Sequence, residues 1–160
     1  MFTALIAALA LSQSTTAAPT AEAQVASVLD RLNQASSTAD EATYFNLFAP
    51  DARFVGTDAS EHWTMEQFRA FAEPWFKHDS AWSFPAMSRT ITIAPIDCRC
   101  IAWFEEKLAS PSYGETRGSG VMRLTDDGWK IEQYVLSIAV PNDKADAVVA
   151  LIKGDAAPAH

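Results

Sequence analysis

Asp58 and Arg117 are the two charged residues of this 160-residue chain whose surroundings suggest chemistry on a small molecule. Asp58 follows Gly56-Thr57 in "GTDASEHW". A carboxylate enclosed by apolar walls has its charged form disfavoured, and the raised pKa makes it a general base or acid near neutral pH. The other reading of Asp58 is the cap of a turn, a common place for Asp. Glu61 and His62 beside it are either its partners or solvated loop residues. Arg117 lies in "ETRGSGVMR", whose alternation puts Arg117, Ser119 and Val121 on one face and Gly118 and Gly120 on the other. A buried guanidinium needs a carboxylate, supplied by Glu105, Asp58 or a ligand. The alternative is a cross-strand salt bridge on an outer face. Arg89, inside "FPAMSRTITI", poses the same question.

Around these charges stand groups suited to a flat apolar ligand. Trp63, Trp82 and Trp103 offer aromatic walls and an indole N–H for a carbonyl, or else ordinary core filling. Strand alternation in "AWFEEKL" places Trp103 with Glu105 and sets Phe104 and Glu106 opposite. In "GWKIEQYVLS" the same rule groups Trp129, Ile131, Gln133 and Val135 against Lys130, Glu132, Tyr134 and Leu136. With the Trp129 face internal, Gln133, Ser119 and Arg117 come to a pocket rim with Glu105 as ion partner. With the strand turned the other way, Tyr134 donates to a ligand carbonyl. The candidate site is therefore Asp58 and Arg117 for chemistry, with Trp63, Arg89, Trp103, Glu105, Ser119, Gln133 and Tyr134 for binding.

The elements that must position them follow from periodicity. Residues 21–35 place Val25, Val28, Leu29 and Leu32 on one helical face. "EATYFNLFAP" reads as a second helix that must stop before Pro50, and "ARFVGTD" as a short strand. After Thr64, the residues Met65, Phe68, Phe71, Ala72, Trp75 and Phe76 make a wide apolar stripe at helical spacing. From Trp82 the period changes to two through four strand-like segments, with "TDDGW" as a hairpin turn. "PNDKADAVVALIK" closes the chain as a helix with Asn142 as its N-cap, and residues 155–160 form a disordered tail. Helices followed by a meander predict an α+β domain, its strongly curved antiparallel sheet wrapped around the N-terminal helices as a cone. The open end of a cone is a natural pocket.

Composition narrows the partners. A net charge of −8 with no run of Lys or Arg excludes a general nucleic-acid or anionic-membrane binder. Residues 1–18 carry an apolar stretch and then small residues, the pattern of a signal peptide. That predicts a periplasmic or secreted domain over residues 19–154, with no membrane attachment after signal removal, and a cytoplasmic one if the segment is instead a frayed helix. Cys98 and Cys100 flank Arg99, and a bridge across one strand residue is strained, so two small hydrophobes are expected. His62, His78 and His160 do not stand at ligand spacing with them. There is no Gly-rich phosphate loop and no nucleophile elbow, which leaves cofactor-free acid/base work or simple binding, with no metal.

The order of elements, with "FVGTD", "EHWT", "AWFEE", "RGSGV" and "GWKIEQYVLS", resembles the nuclear transport factor 2-like superfamily, and within it the SnoaL-like group, named after a polyketide cyclase, over residues 21–153. The resemblance implies a cystatin-like cone, commonly a homodimer through the outer sheet face. Members include ketosteroid isomerase, scytalone dehydratase and limonene epoxide hydrolase beside noncatalytic binding and scaffold proteins. The catalytic members generally place an Asp, often helped by His, Tyr or Arg, inside an apolar cone. "EQYVLS" has no His, so this chain departs from the Asp–His pairing of the cyclase. The reading is thus a small-molecule-binding domain whose apolar pocket takes a carbonyl- or carboxylate-bearing ligand. Its alternatives are a cofactor-independent isomerase, cyclase or dehydratase using Asp58, and a noncatalytic dimeric assembly module.

Overall fold

Helix formation begins where the sequence supplies a cap. In the computed structural model, which describes residues 18–154, Thr20 accepts from the Ala23 amide at 3.2 Å and opens α1 (Ala21–Ser37). The Val25, Val28, Leu29 and Leu32 stripe is buried as its spacing requires. Asp40 caps the short α2 (Glu41–Asn46), which ends ahead of Pro50, and the chain enters β1 (Phe48–Val55) directly. After the turn at residues 56–61 come β2 (His62–Thr64) and α3 (Met65–Ala72). A reciprocal capping box fixes this junction: the Gln67 amide donates to Thr64 Oγ1 and the Thr64 amide to Gln67 Oε1.

The remainder is the meander β3 (Ala86–Ile93), β4 (Ile101–Ser110), β5 (Gly114–Thr125) and β6 (Gly128–Ile138). The sheet order is β2-β1-β6-β5-β4-β3. All pairs are antiparallel except β1 with β6, so the sheet is mixed and stays open between its edges β2 and β3. Its concave face carries Ala102, Phe104, Glu106 and Leu108 of β4 and Thr116, Gly118 and Met122 of β5, all buried, with Ala102, Phe104 and Met122 part of the main apolar core. Gly120 permits the curvature: a Cβ there would overlap the Gln133 carbonyl and stand 2.9 Å from the Phe104 ring.

Three local expectations are corrected. Cys98 and Cys100 are joined by a disulfide. They lie in the turn between β3 and β4, not on a strand, and Arg99 between them takes φ 45°, folding the two Cα atoms to 5.1 Å. Asn142 does not cap the last helix: it begins a 3-10 turn, Asn142–Lys144, and α4 (Ala145–Lys153) follows without a side-chain cap. The period-two reading of β6 fails halfway, because the β5–β6 register passes from Val121↔Gln133 to Met122↔Ile131 and leaves Glu132 as an extra residue. The proposed signal segment and disordered tail lie outside the described residues, apart from Ala18. No described helix is long and apolar enough to cross a membrane.

Candidate functional site

A cleft of about 470 Å³ opens beside the concave face, between α1, α2, the β1–α3 connection and the β4–β5 turn. One wall is a near-parallel series of rings. The parallel β1–β6 pairing sets Phe54 opposite Tyr134, centroids 5.6 Å apart and planes within 8°. Phe68 from α3 stacks on Phe54 at 3.9 Å and 15°, and Trp63 from β2 lies over Phe68 at 5.6 Å and 10°. The opposite wall meets edge-on: Trp82 approaches Tyr44 at 5.6 Å and 83°, and Phe76 at 5.2 Å and 75°. At the mouth Phe71, Trp75 and Tyr113 are about half exposed. These apolar side chains leave water for a slot that suits a flat molecule.

Behind Tyr134 lies a buried ionic network. Glu106 projects from β4 with its side chain 1% exposed, and its Oε1 accepts from Arg89 Nε at 2.8 Å and Nη2 at 2.7 Å. Arg89, 13% exposed, also donates to Asp30 Oδ1 of α1 at 2.8 Å and to the Ala26 carbonyl at 3.2 Å. The Tyr134 hydroxyl donates to Glu106 Oε2 at 3.4 Å. Burial pushes the Glu106 carboxyl up against the pull of Arg89. Burial pulls the Arg89 guanidinium down, and Glu106 with Asp30 more than reverses it. Both tyrosines are pushed up by burial; for Tyr134 the Glu106 charge adds to this, whereas for Tyr44 the polar edge of the neighbouring Trp82 indole opposes it. Among the described residues no group of three or more His, Cys, Asp and Glu gathers to hold a metal ion.

Of the residues singled out from the sequence, Trp63 and Tyr134 line the cleft, and so does Trp82. Arg89 faces inward but is held by Glu106 and Asp30 beneath α1. Asp58 is exposed in the turn after β1 and does not line the cleft. Its carboxylate caps that turn, accepting from the Ser60 hydroxyl and from the Ser60 amide at 2.8 Å, and these bonds lower its pKa. The raised pKa expected of a general base at Asp58 is therefore reversed in direction. Arg117 and Ser119 of β5 and Glu105 and Trp103 of β4 stand on the outer face, alternating with the buried Thr116 and Gly118 and the buried Phe104 and Glu106. The bulge at Glu132 turns Gln133 outward to join them and Tyr134 inward. Ion pairs on that face join Lys107 to Glu115 at 2.7 Å and Arg123 to Glu132, and Arg117 lies exposed across from Lys107 and Ser137. Two members of the site, Glu106 and Tyr44, escaped the sequence reading. The signal for Glu106 was there: it is the one charge on the otherwise apolar Ala102, Phe104, Leu108 face.

The family model described as a SnoaL-like domain matches residues 25–141. No curated protein matches the chain in sequence. Solved structures that resemble it include a protein of unknown function from Pseudomonas putida KT2440, described as nuclear transport factor 2-like, with TM-score 0.62 and 14% identity over 78% of this chain and 90% of that one. A domain of unknown function with a cystatin-like fold from Nostoc punctiforme has TM-score 0.62 and 12% identity, over 82% of this chain and 85% of that one. A candidate ketosteroid isomerase from Parabacteroides distasonis has TM-score 0.56 and 20% identity, over 73% and 86%. At these identities the likeness establishes the fold.

Proposed function

The chain belongs to the SnoaL-like domain family, and from that premise we propose that it binds a flat, largely apolar small molecule bearing a carbonyl or carboxylate oxygen. The observation that carries the reading is the cleft of about 470 Å³ with its parallel and edge-on aromatic walls. Its size falls within the range of small-molecule sites. The oxygen-recognising group is no longer Arg117, which faces outward, but the hydroxyl of Tyr44, a residue that lines the cleft and has a proton to donate.

The test is titration with 2-acetonaphthone, followed by the quenching of tryptophan fluorescence. Saturable binding is expected, and Leu136→Trp, which fills the cleft from β6, should abolish it. Absence of saturation in the native chain, or equal affinity in the filled variant, overturns the reading.

An enzymatic role as a cofactor-independent isomerase, cyclase or dehydratase is the second reading. Its favouring observation is Glu106, a carboxyl raised by burial and bonded to a tyrosine that lines the cleft. In that reading Glu106, through Tyr134, takes the place first given to Asp58. We also propose an exported domain, periplasmic or secreted after removal of residues 1–18. The Cys98–Cys100 disulfide supports this, since such bonds persist in oxidising compartments. A homodimer through the outer sheet face is supported by the exposed Trp103 and the half-buried Val121 and Val135 there.

A further inference from the structure

The hydroxyl groups at the cleft differ in what they can offer. A phenol has one proton to donate and lone pairs with which to accept. Tyr134 spends its proton on Glu106 Oε2 at 3.4 Å. Glu106 holds Arg89 on its other oxygen through Nε and Nη2, the geometry of an ionised carboxylate, which accepts and does not donate. The hydroxyl is also fixed in place from the side: Leu108 and the Tyr134 ring tip close around Gly118, and a Cβ at that position would overlap the tyrosine oxygen. Tyr134 lines the cleft but directs its proton into the protein, so what its oxygen has left to offer a ligand is a lone pair. Tyr44 is the reverse: it lines the cleft, and none of the described hydrogen bonds takes its proton.

We propose that the ligand carries a hydrogen-bond donor, a phenol- or enol-type hydroxyl on its flat ring system, which is received by the Tyr134 oxygen while Tyr44 serves the acceptor on the same molecule. The proposal rests on the reading of the cleft as a small-molecule site and adds the polarity of what fills it. Arg89 and Glu106 act here as positioning residues, since neither lines the cleft and both act through the direction of the Tyr134 proton. A simple oxyanion donor at Tyr134 would have the opposite preference.

Two ring-matched probes separate these cases: 2-naphthol, which can donate, and 2-methoxynaphthalene, which can only accept. Their dissociation constants are measured by tryptophan fluorescence for the native chain and for Tyr134→Phe, whose folding is checked by circular dichroism. The native chain should prefer 2-naphthol by about tenfold, the worth of one hydrogen bond in a shielded site. In Tyr134→Phe the ratio should fall to near one. Equal affinities in the native chain, a preference for the ether, or a ratio unchanged in Tyr134→Phe overturns the donor assignment and leaves the cleft reading standing. Failure of both probes to bind overturns the two together. If Tyr134→Phe does not fold, the native ratio alone decides.

Discussion

Replacing Arg89 with methionine should be among the most damaging single changes in this chain, and the damage should depend on pH. Methionine keeps much of the arginine stem's volume but leaves Glu106, with 1% of its side chain exposed, without its cation. Removing one partner of a buried pair typically destabilises by about 3–5 kcal/mol, because the remaining charge is stranded. The loss of the Asp30 contact adds little, since that carboxylate is 70% exposed and returns to water. Against an expected total stability of about 5–15 kcal/mol, the variant is left marginal at neutral pH. Burial already raises Glu106 above its ordinary 4.5, and taking away the opposing arginine raises it further. A carboxyl with a raised folded pKa favours the folded state while protonated. That stability is complete below the unfolded value and disappears as pH climbs through the folded one. Acidification from pH 7.5 to 5.5 should therefore recover up to about 2.7 kcal/mol, at roughly 1.36 kcal/mol per unit. Urea unfolding followed by tryptophan fluorescence at the two pH values measures this, with the native chain as reference. Adding Glu106→Leu should restore most of the stability, as apolar replacement of a whole buried pair is often neutral. A loss under about 1 kcal/mol at pH 7.5, or an identical loss at both pH values, would refute the account of Glu106 as a buried charge whose countercharge is Arg89.

Gly120→Ala should destabilise by about 1–3 kcal/mol in the same urea assay, since its methyl group must displace the Gln133 carbonyl or the Phe104 ring; a change within experimental error would show that the sheet tolerates less curvature. Asp58→Asn should leave affinity for 2-acetonaphthone within about twofold of native, because the residue is exposed and outside the cleft, and a tenfold loss would return Asp58 to the site. Thiol trapping with mass spectrometry on chain purified without reductant should find Cys98 and Cys100 both blocked, and labelling of either contradicts the disulfide. Thr64→Ala should cost about 1 kcal/mol by removing the capping box at α3, read from the urea midpoint; an unchanged midpoint would mean that Trp63 and Phe68 packing alone sets this junction.

The sequence was most legible where a single period runs unbroken between clear caps. The buried stripe of α1, the start of α3 after Thr64 and the turn between β5 and β6 each rest on contacts within a few residues, so local chemistry determines them. The parallel β1–β6 pair was less accessible, because it joins residues separated by the whole meander and has no local signature. The disulfide was missed for a related reason. Alternation was extended through residues 98–100, where Arg99 in the left-handed region ends the strand geometry and brings the cysteines together.

At the site, one bulge decided more than any residue type. Up to Ile131 the inward residues of β6 are those that alternation selects, and beyond Glu132 they are the others. Bulge positions depend on how two strands share curvature, so no pattern within β6 alone reveals this one. Its consequence is that Gln133 joins Ser119 and Arg117 on the outer face while Tyr134 turns toward Glu106. Yet the polar centre could have been approached from β4. A glutamate aligned with Ala102, Phe104 and Leu108 has to be paired if it is buried, and Arg89 lies directly across from it in the β3–β4 register. The demand that a buried charge find a partner thus locates the polar centre behind the cleft from two strands, where a search for a catalytic aspartate in a loop leads to the exposed turn at Asp58.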